Sequence, residues 1–170
     1  MILSRILSGL FWRSNAKAEA LYGAIVAAAR RQFFYADWGV PDTVDGRFDM
    51  IVLHQYLVMD RLRHDDMAFR QALSEVFFAD MDRSIREMGA GDLSVAKKMR
   101  AMAEAFGGRV EAYERARGEG RAALEQALGR NVFRGESGDP AALARWMDQA
   151  VVALAKQDAN AIMAGQVAFP

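Results

Sequence analysis

At 170 residues the chain is a little over one typical domain long, enough to bury one sizeable core but not two. Its 52% hydrophobic and 26% charged residues, with only 3 prolines, exclude a disordered or collagen-like chain, and the absence of cysteine excludes disulfides, thiolate nucleophiles and thiolate-bound metal centres. The 22 basic and 22 acidic residues cancel, so no whole-molecule field draws the protein to nucleic acid or anionic lipid.

Charge is nevertheless uneven. Residues 1–36 carry Arg5, Arg13, Lys17, Arg30 and Arg31 against Glu19 alone, whereas residues 37–82 carry ten acids against four arginines. In residues 1–13, Leu3, Ile6, Leu7, Leu10 and Phe11 share one helical face and Ser4, Arg5, Ser8 and Arg13 the other, predicting a short amphipathic helix. Arg5 interrupts what would be the apolar region of a secretory signal. Two uses remain open for this helix, packing on its own domain or contact with a membrane surface through those five apolar residues.

The remainder, 14–170, reads as a single helical domain. From Asn15, a candidate N-cap, Leu21, Ile25, Ala28 and Ala29 recur at helical spacing, and one helix is expected to run to about Ala36. The segment Asp37 to Gly46 holds two glycines and a proline and predicts the main loop. Arg47 to about Arg63 is apolar nearly all round, as a central helix would be, and Met67 to Met88 carries a stripe from Phe69 through Leu73, Phe77, Met81 and Ile85, stopped by Gly89.

A turn at Gly91-Asp92-Leu93-Ser94 leads into a helix bearing Val95, Met99, Met102 and Phe106, with a kink expected at Gly107-Gly108 and a break at Gly118 to Gly120. Arg121 to Arg130 predicts a further helix, Arg134 to Gly138 a loop, and Asp139-Pro140 a strong helix start, with a short last helix ending near Ala164. No strand-like alternation bounded by hairpin turns is present. The expected fold is therefore all-α, with about six to eight helices in one domain.

Chemistry is scarce. His54 and His64 lie ten residues apart, about 15 Å along one helix, and cannot share one ion; no Glu-x-x-His pair, phosphate loop, dinucleotide fingerprint or nucleophile elbow occurs. Lys97, Lys98 and Arg100 lack the interleaved aromatics of a nucleic-acid platform, so no sequence-specific nucleic acid is expected. The ten methionines suit either core packing or a surface that accepts varied apolar partners, and Met81, Met88, Met99, Met102 and Met147 fall on expected core stripes.

One ordered series of short motifs is more telling. Val40-Pro41-Asp42-Thr43, Asp45-Gly46-Arg47-Phe48-Asp49, His54, Asp80-Met81-Asp82, Arg86-Glu87-Met88-Gly89, Gly91-Asp92-Leu93 and Lys97-Lys98-Met99 resemble the ubiquinol-cytochrome c chaperone family. The resemblance covers about Leu21 to Arg117, and Gly107 stands where the family usually has an aromatic residue. It implies an all-helical, non-catalytic assembly factor without cofactor or metal. Such a factor binds newly made cytochrome b and assists biogenesis of ubiquinol-cytochrome c reductase, in mitochondria also near the ribosomal exit tunnel and with a small protein partner.

The motif positions implied for client binding are Asp42, Thr43, Asp45, Arg47, His54, Asp82, Arg86, Gly91 and Asp92. The same residues can instead cap helices and build loops. The expected place is the bacterial cytoplasm, peripheral to the inner membrane, or else the matrix side of the mitochondrial inner membrane. A helical adaptor for another partner and a metal-dependent hydrolase using His54, His64 and acids are the alternative readings.

Overall fold

The computed structural model describes residues 16–170 in full and residues 2–15 as backbone only. Among the described residues the fold is all-α, as expected. Helix α1 (Ile2–Ala29) runs through Asn15 instead of starting there, because no glycine or proline between Phe11 and Leu21 interrupts it. The side chains of Leu3, Ile6, Leu7, Leu10 and Phe11, for which packing on the domain and contact with a membrane surface are both open, lie outside the described residues.

The helix expected to reach Ala36 breaks at Arg31, whose backbone is extended, and restarts as α2 (Gln32–Ala36). That break turns Phe34 into the core, where its ring meets Trp38, His54 and Trp146 edge-on. The burial of Phe34 outweighs the helical preference of the Ala-rich run before it.

Helix α3 (Val44–Arg61) is the central element, with twelve buried residues that include Asp49, His54 and Gln55. It begins three residues earlier than its apolar pattern suggests. Thr43 is its N-cap, accepting from the Gly46 amide at 3.1 Å, and Gly46 is therefore helical rather than part of the loop. A β-carbon at Gly46 would fall inside the van der Waals shell of the Pro41 carbonyl. Gly46→Ala should lower unfolding free energy by about 2–3 kcal/mol in urea titrations, since the obstacle is backbone.

Helices α4 (Met67–Glu87) and α5 (Asp92–Glu119) form a long antiparallel pair beside α1 and α3. Helix α5 continues through Gly107-Gly108, the expected site of a kink, without a break in its helical assignment, and a β-carbon at either glycine would meet open space. Helix α6 (Arg121–Leu128) passes directly into a π-helical turn, Gly129–Phe133. Helix α7 (Pro140–Ala155) starts as its sequence demands, with Asp139 accepting from the Ala142 amide at 2.8 Å. Its other end is closed by Arg61, which donates to the Leu154 and Gln157 carbonyls at 3.0 and 2.8 Å.

Helix α8 (Ala159–Met163) packs on α1 and ends in a left-handed Gly165, with the Gly165 and Gln166 amides bonded back to Ile162 and Ala161. Residues 166–170 then run back across the domain. Gly39 and Gly138 let the loops before α3 and α7 meet backbone to backbone, sealed by the Asp139 amide donating to the Trp38 carbonyl at 2.8 Å.

Candidate functional site

The motif residues gather at two surface places and one buried one. The first is the tip of the α4–α5 pair. Arg86, in the last turn of α4, donates through Nε to Asp82 at 2.7 Å and through Nη1 to Asp92 at 2.6 Å, joining both helices across the turn. These two hydrogen bonds, the Asp82 one foremost, hold the guanidinium pKa above its ordinary value. Gly91 is the N-cap of α5, and Gly89, at φ +84°, closes α4 with its amide bonded to the Arg86 carbonyl at 2.9 Å.

Beneath this clamp Ile85 and Val95 are buried yet stand outside the main hydrophobic core. The tip is thus a small separately packed unit. It carries Leu93, 92% exposed, and Met88, 58% exposed. The expectation that Met88 is a core residue is wrong: it is the C-cap of α4, where the stripe has passed beyond the reach of its neighbours. Met81 and Met147 are buried as expected, and Met99 and Met102 pack partly against the core. Lys97, Lys98 and Arg100 are exposed on the adjoining turns of α5.

Because both Arg86 pairs are exposed, they order the tip more than they stabilise the fold. Arg86→Gln should leave the midpoint of global unfolding unchanged while hydrogen exchange of amides 86–94 accelerates. Equal acceleration throughout the chain would contradict that local role.

The second place is the start of α3. Asp42 pairs with Arg47 at 2.7 Å, and that bond holds the Asp42 carboxyl below its usual range. Asp45 accepts from Arg134 at 3.1 Å. The motif residues Asp42, Thr43, Asp45 and Arg47 therefore shape and cap this corner.

Under it lies a constellation that sequence reasoning missed. Asp49 is completely buried between two arginines: Arg109 of α5 approaches one carboxylate oxygen to 2.6 Å, and Arg134 donates to the other from Nη2 at 3.0 Å and Nε at 3.3 Å. Burial pushes the Asp49 pKa up to about 6, against the pull of both guanidiniums. Arg134 reaches it from the end of the π turn in a left-handed conformation, φ 55°, unfavourable for a side chain by about 1–2 kcal/mol. The ion pairs offset that strain.

His54 is the buried motif residue. It is 0% exposed, its Nδ1 lies 2.8 Å from the Met50 carbonyl, and its ring packs between Phe34, Trp146 and Phe169. Desolvation depresses its pKa to about 4, so it is neutral at physiological pH. A direct client contact through His54, expected from the motif, is not available in this conformation. His64 sits on the exposed turn after α3, and among the described residues no three His, Asp or Glu side chains converge as a metal site. No helix among them is long and apolar enough to cross a membrane.

Comparison with known proteins agrees with this architecture. The sequence matches the family described as Ubiquinol-cytochrome C chaperone over residues 36–169, so the resemblance starts later than Leu21 and extends past Arg117 through α8. The fold superposes on the crystal structure of the Cbp3 homolog from Brucella abortus with a TM-score of 0.83 and 36% sequence identity, covering 100% of this chain and 97% of that one. Comparison with curated proteins gives no match. Matched by the family model along most of its sequence, and similar throughout its fold to the Cbp3 homolog, the chain belongs to the ubiquinol-cytochrome c chaperone family.

Proposed function

We propose that this protein is a non-enzymatic chaperone that binds newly synthesised cytochrome b, at the cytoplasmic face of a bacterial inner membrane, and assists assembly of ubiquinol-cytochrome c reductase. Family membership supports the chaperone role. The observation that carries the site is the α4–α5 tip, where motif residues Asp82, Arg86, Gly91 and Asp92 hold Leu93 and Met88 out in solvent on a unit packed apart from the core. An apolar client needs exposed apolar side chains on a presenting scaffold, and a flexible methionine suits segments of varied shape.

The α3 corner, with Asp42, Thr43, Asp45 and Arg47, is occupied by its own pairs and is the secondary candidate. Photo-crosslinkers at Leu93, Asp82 and Arg47, used while cytochrome b is being translated, test the assignment. Crosslinks to nascent cytochrome b from Leu93 and Asp82 are expected. Their absence beside a working crosslinker elsewhere on the protein would remove the tip as the client surface, and crosslinks from Arg47 alone would move the surface to the α3 corner.

A further inference from the structure

Residues 166–170 cross the domain outside any helix, as a segment whose exposure alternates residue by residue. Val167 and Phe169 face inward, while Gln166, Ala168 and Pro170 face out. Every polar bond the segment receives here is made to its backbone. Gln157 donates from Nε2 to the Ala168 carbonyl at 2.8 Å and accepts the Ala168 amide on Oε1 at 2.9 Å, standing in for a neighbouring β-strand. Trp146 Nε1 donates to the Pro170 carbonyl at 3.2 Å, and Arg31, freed from helix by the α1–α2 break, donates to the Phe169 carbonyl at 3.4 Å and to that of Pro170.

Side-chain recognition rests on Val167, packed against the core, and on one aromatic ring. Phe169 lies against His54, ring centres 4.9 Å apart, and stacks on Trp146 at 6.2 Å with the planes inclined by 23°. A groove that reads backbone, one aliphatic side chain and one aromatic ring discriminates weakly between its own segment and any other extended segment with an aromatic residue at the Phe169 place. The segment leaves α8 through Gly165, whose positive φ and close approach to Ala20 fix the exit direction.

We propose that the groove walled by Arg31, His54, Trp146 and Gln157 is a peptide-recognition site, held closed by residues 166–170 as a detachable strap, and that its partner is an extended segment of another polypeptide presenting an aromatic side chain at the Phe169 place. This assignment is independent of the α4–α5 tip. It gives the motif residue His54 a role as part of a covered floor, reached only when the strap lifts.

Hydrogen exchange on the unmodified chain tests the strap. The Ala168 amide and the Trp146 indole N–H should exchange at least about 100-fold faster than the amides of α3 around His54, through an opening that leaves the helices folded. Exchange of both groups at the α3 rate would make the strap an inseparable part of the core and overturn the proposal.

The groove is tested with Phe169→Ala and two synthetic peptides, Gln-Val-Ala-Phe-Pro and Gln-Val-Ala-Ala-Pro, followed by the NMR signal of the Trp146 indole. Saturable binding of the first, at least about tenfold tighter than the second, is expected. No response in a variant with native helical circular dichroism, or equal response to both peptides, would overturn it. Should Phe169→Ala not fold, the exchange measurement on the unmodified chain decides. Concentration-dependent dimers that exchange straps would assign the groove to self-association and overturn the foreign partner.

Discussion

Asp49→Ala should be among the most destabilising single substitutions in the protein, lowering unfolding free energy by about 3–5 kcal/mol in urea titrations at pH 7. The carboxylate is fully buried and is the common partner of Arg109 and Arg134, which come from α5 and from the end of the π turn. Removing it leaves two guanidiniums facing each other across the space it filled. Arg109, only 15% exposed, is left with most of its side chain out of water and no carboxylate partner there, and the left-handed Arg134 loses the interaction that offsets its strain. Combining Asp49→Leu with Arg109→Met and Arg134→Gly should recover most of the loss, because a buried ionic cluster replaced as a unit by apolar groups is close to neutral. A triple variant no more stable than Asp49→Ala would mean that packing around α3, rather than unpaired charge, sets the effect.

That cluster also shows where sequence reasoning stops. Helix boundaries were legible wherever a local rule decides them: Asp139-Pro140 starts α7, Gly89 stops α4 and Gly120 separates α5 from α6. The break at Arg31 was not, because the gain from inserting Phe34 among His54, Trp38 and Trp146 depends on residues far along the chain. Asp49 meets Arg134 across 85 residues, and no spacing rule spans that interval. Gly46 looked like a loop glycine and is a helix glycine, since its constraint is the neighbouring Pro41 carbonyl.

The same division runs through the site. The motif series identified residues that matter together without saying how. Arg86 and Asp82 are four apart on α4, so their pairing was within reach of the sequence, whereas the addition of Asp92 required knowing that α5 turns back at Gly89. His54 sits in the same series as these exposed residues, yet its position on the all-round apolar α3 places it at the centre of the domain. The backbone strap at 166–170 left no sequence signal, because its bonds are made by Gln157, Trp146 and Arg31 to carbonyls that any residue would offer and an amide that any residue but proline would.

The two buried titrating groups of α3 should make stability respond to acid with opposite signs. His54 ionises near 6.5 when unfolded and at about 4 when folded, so between these values the unfolded chain binds more protons and stability falls as pH falls. Asp49 ionises near 3.8 when unfolded and at about 6 when folded, so the folded chain binds more protons and stability rises as pH falls. From pH 7 to pH 5 the histidine contributes a loss of about 2 kcal/mol and the aspartate a gain of about 1 kcal/mol. The unmodified protein should therefore weaken only modestly over this window through these two groups. Urea titrations at pH 7, 6 and 5 separate them, since all other carboxylates and His64 are common to each variant. His54→Leu should turn the modest loss into a gain relative to its own value at pH 7. Asp49→Asn, which keeps the volume and removes the titration, should steepen the loss to the full histidine contribution. Parallel pH profiles for all three proteins would show that neither group titrates in the folded state within this range. A loss retained in His54→Leu would place the acid sensitivity elsewhere, leaving His54 a packing residue beneath Phe169 with no electrostatic consequence.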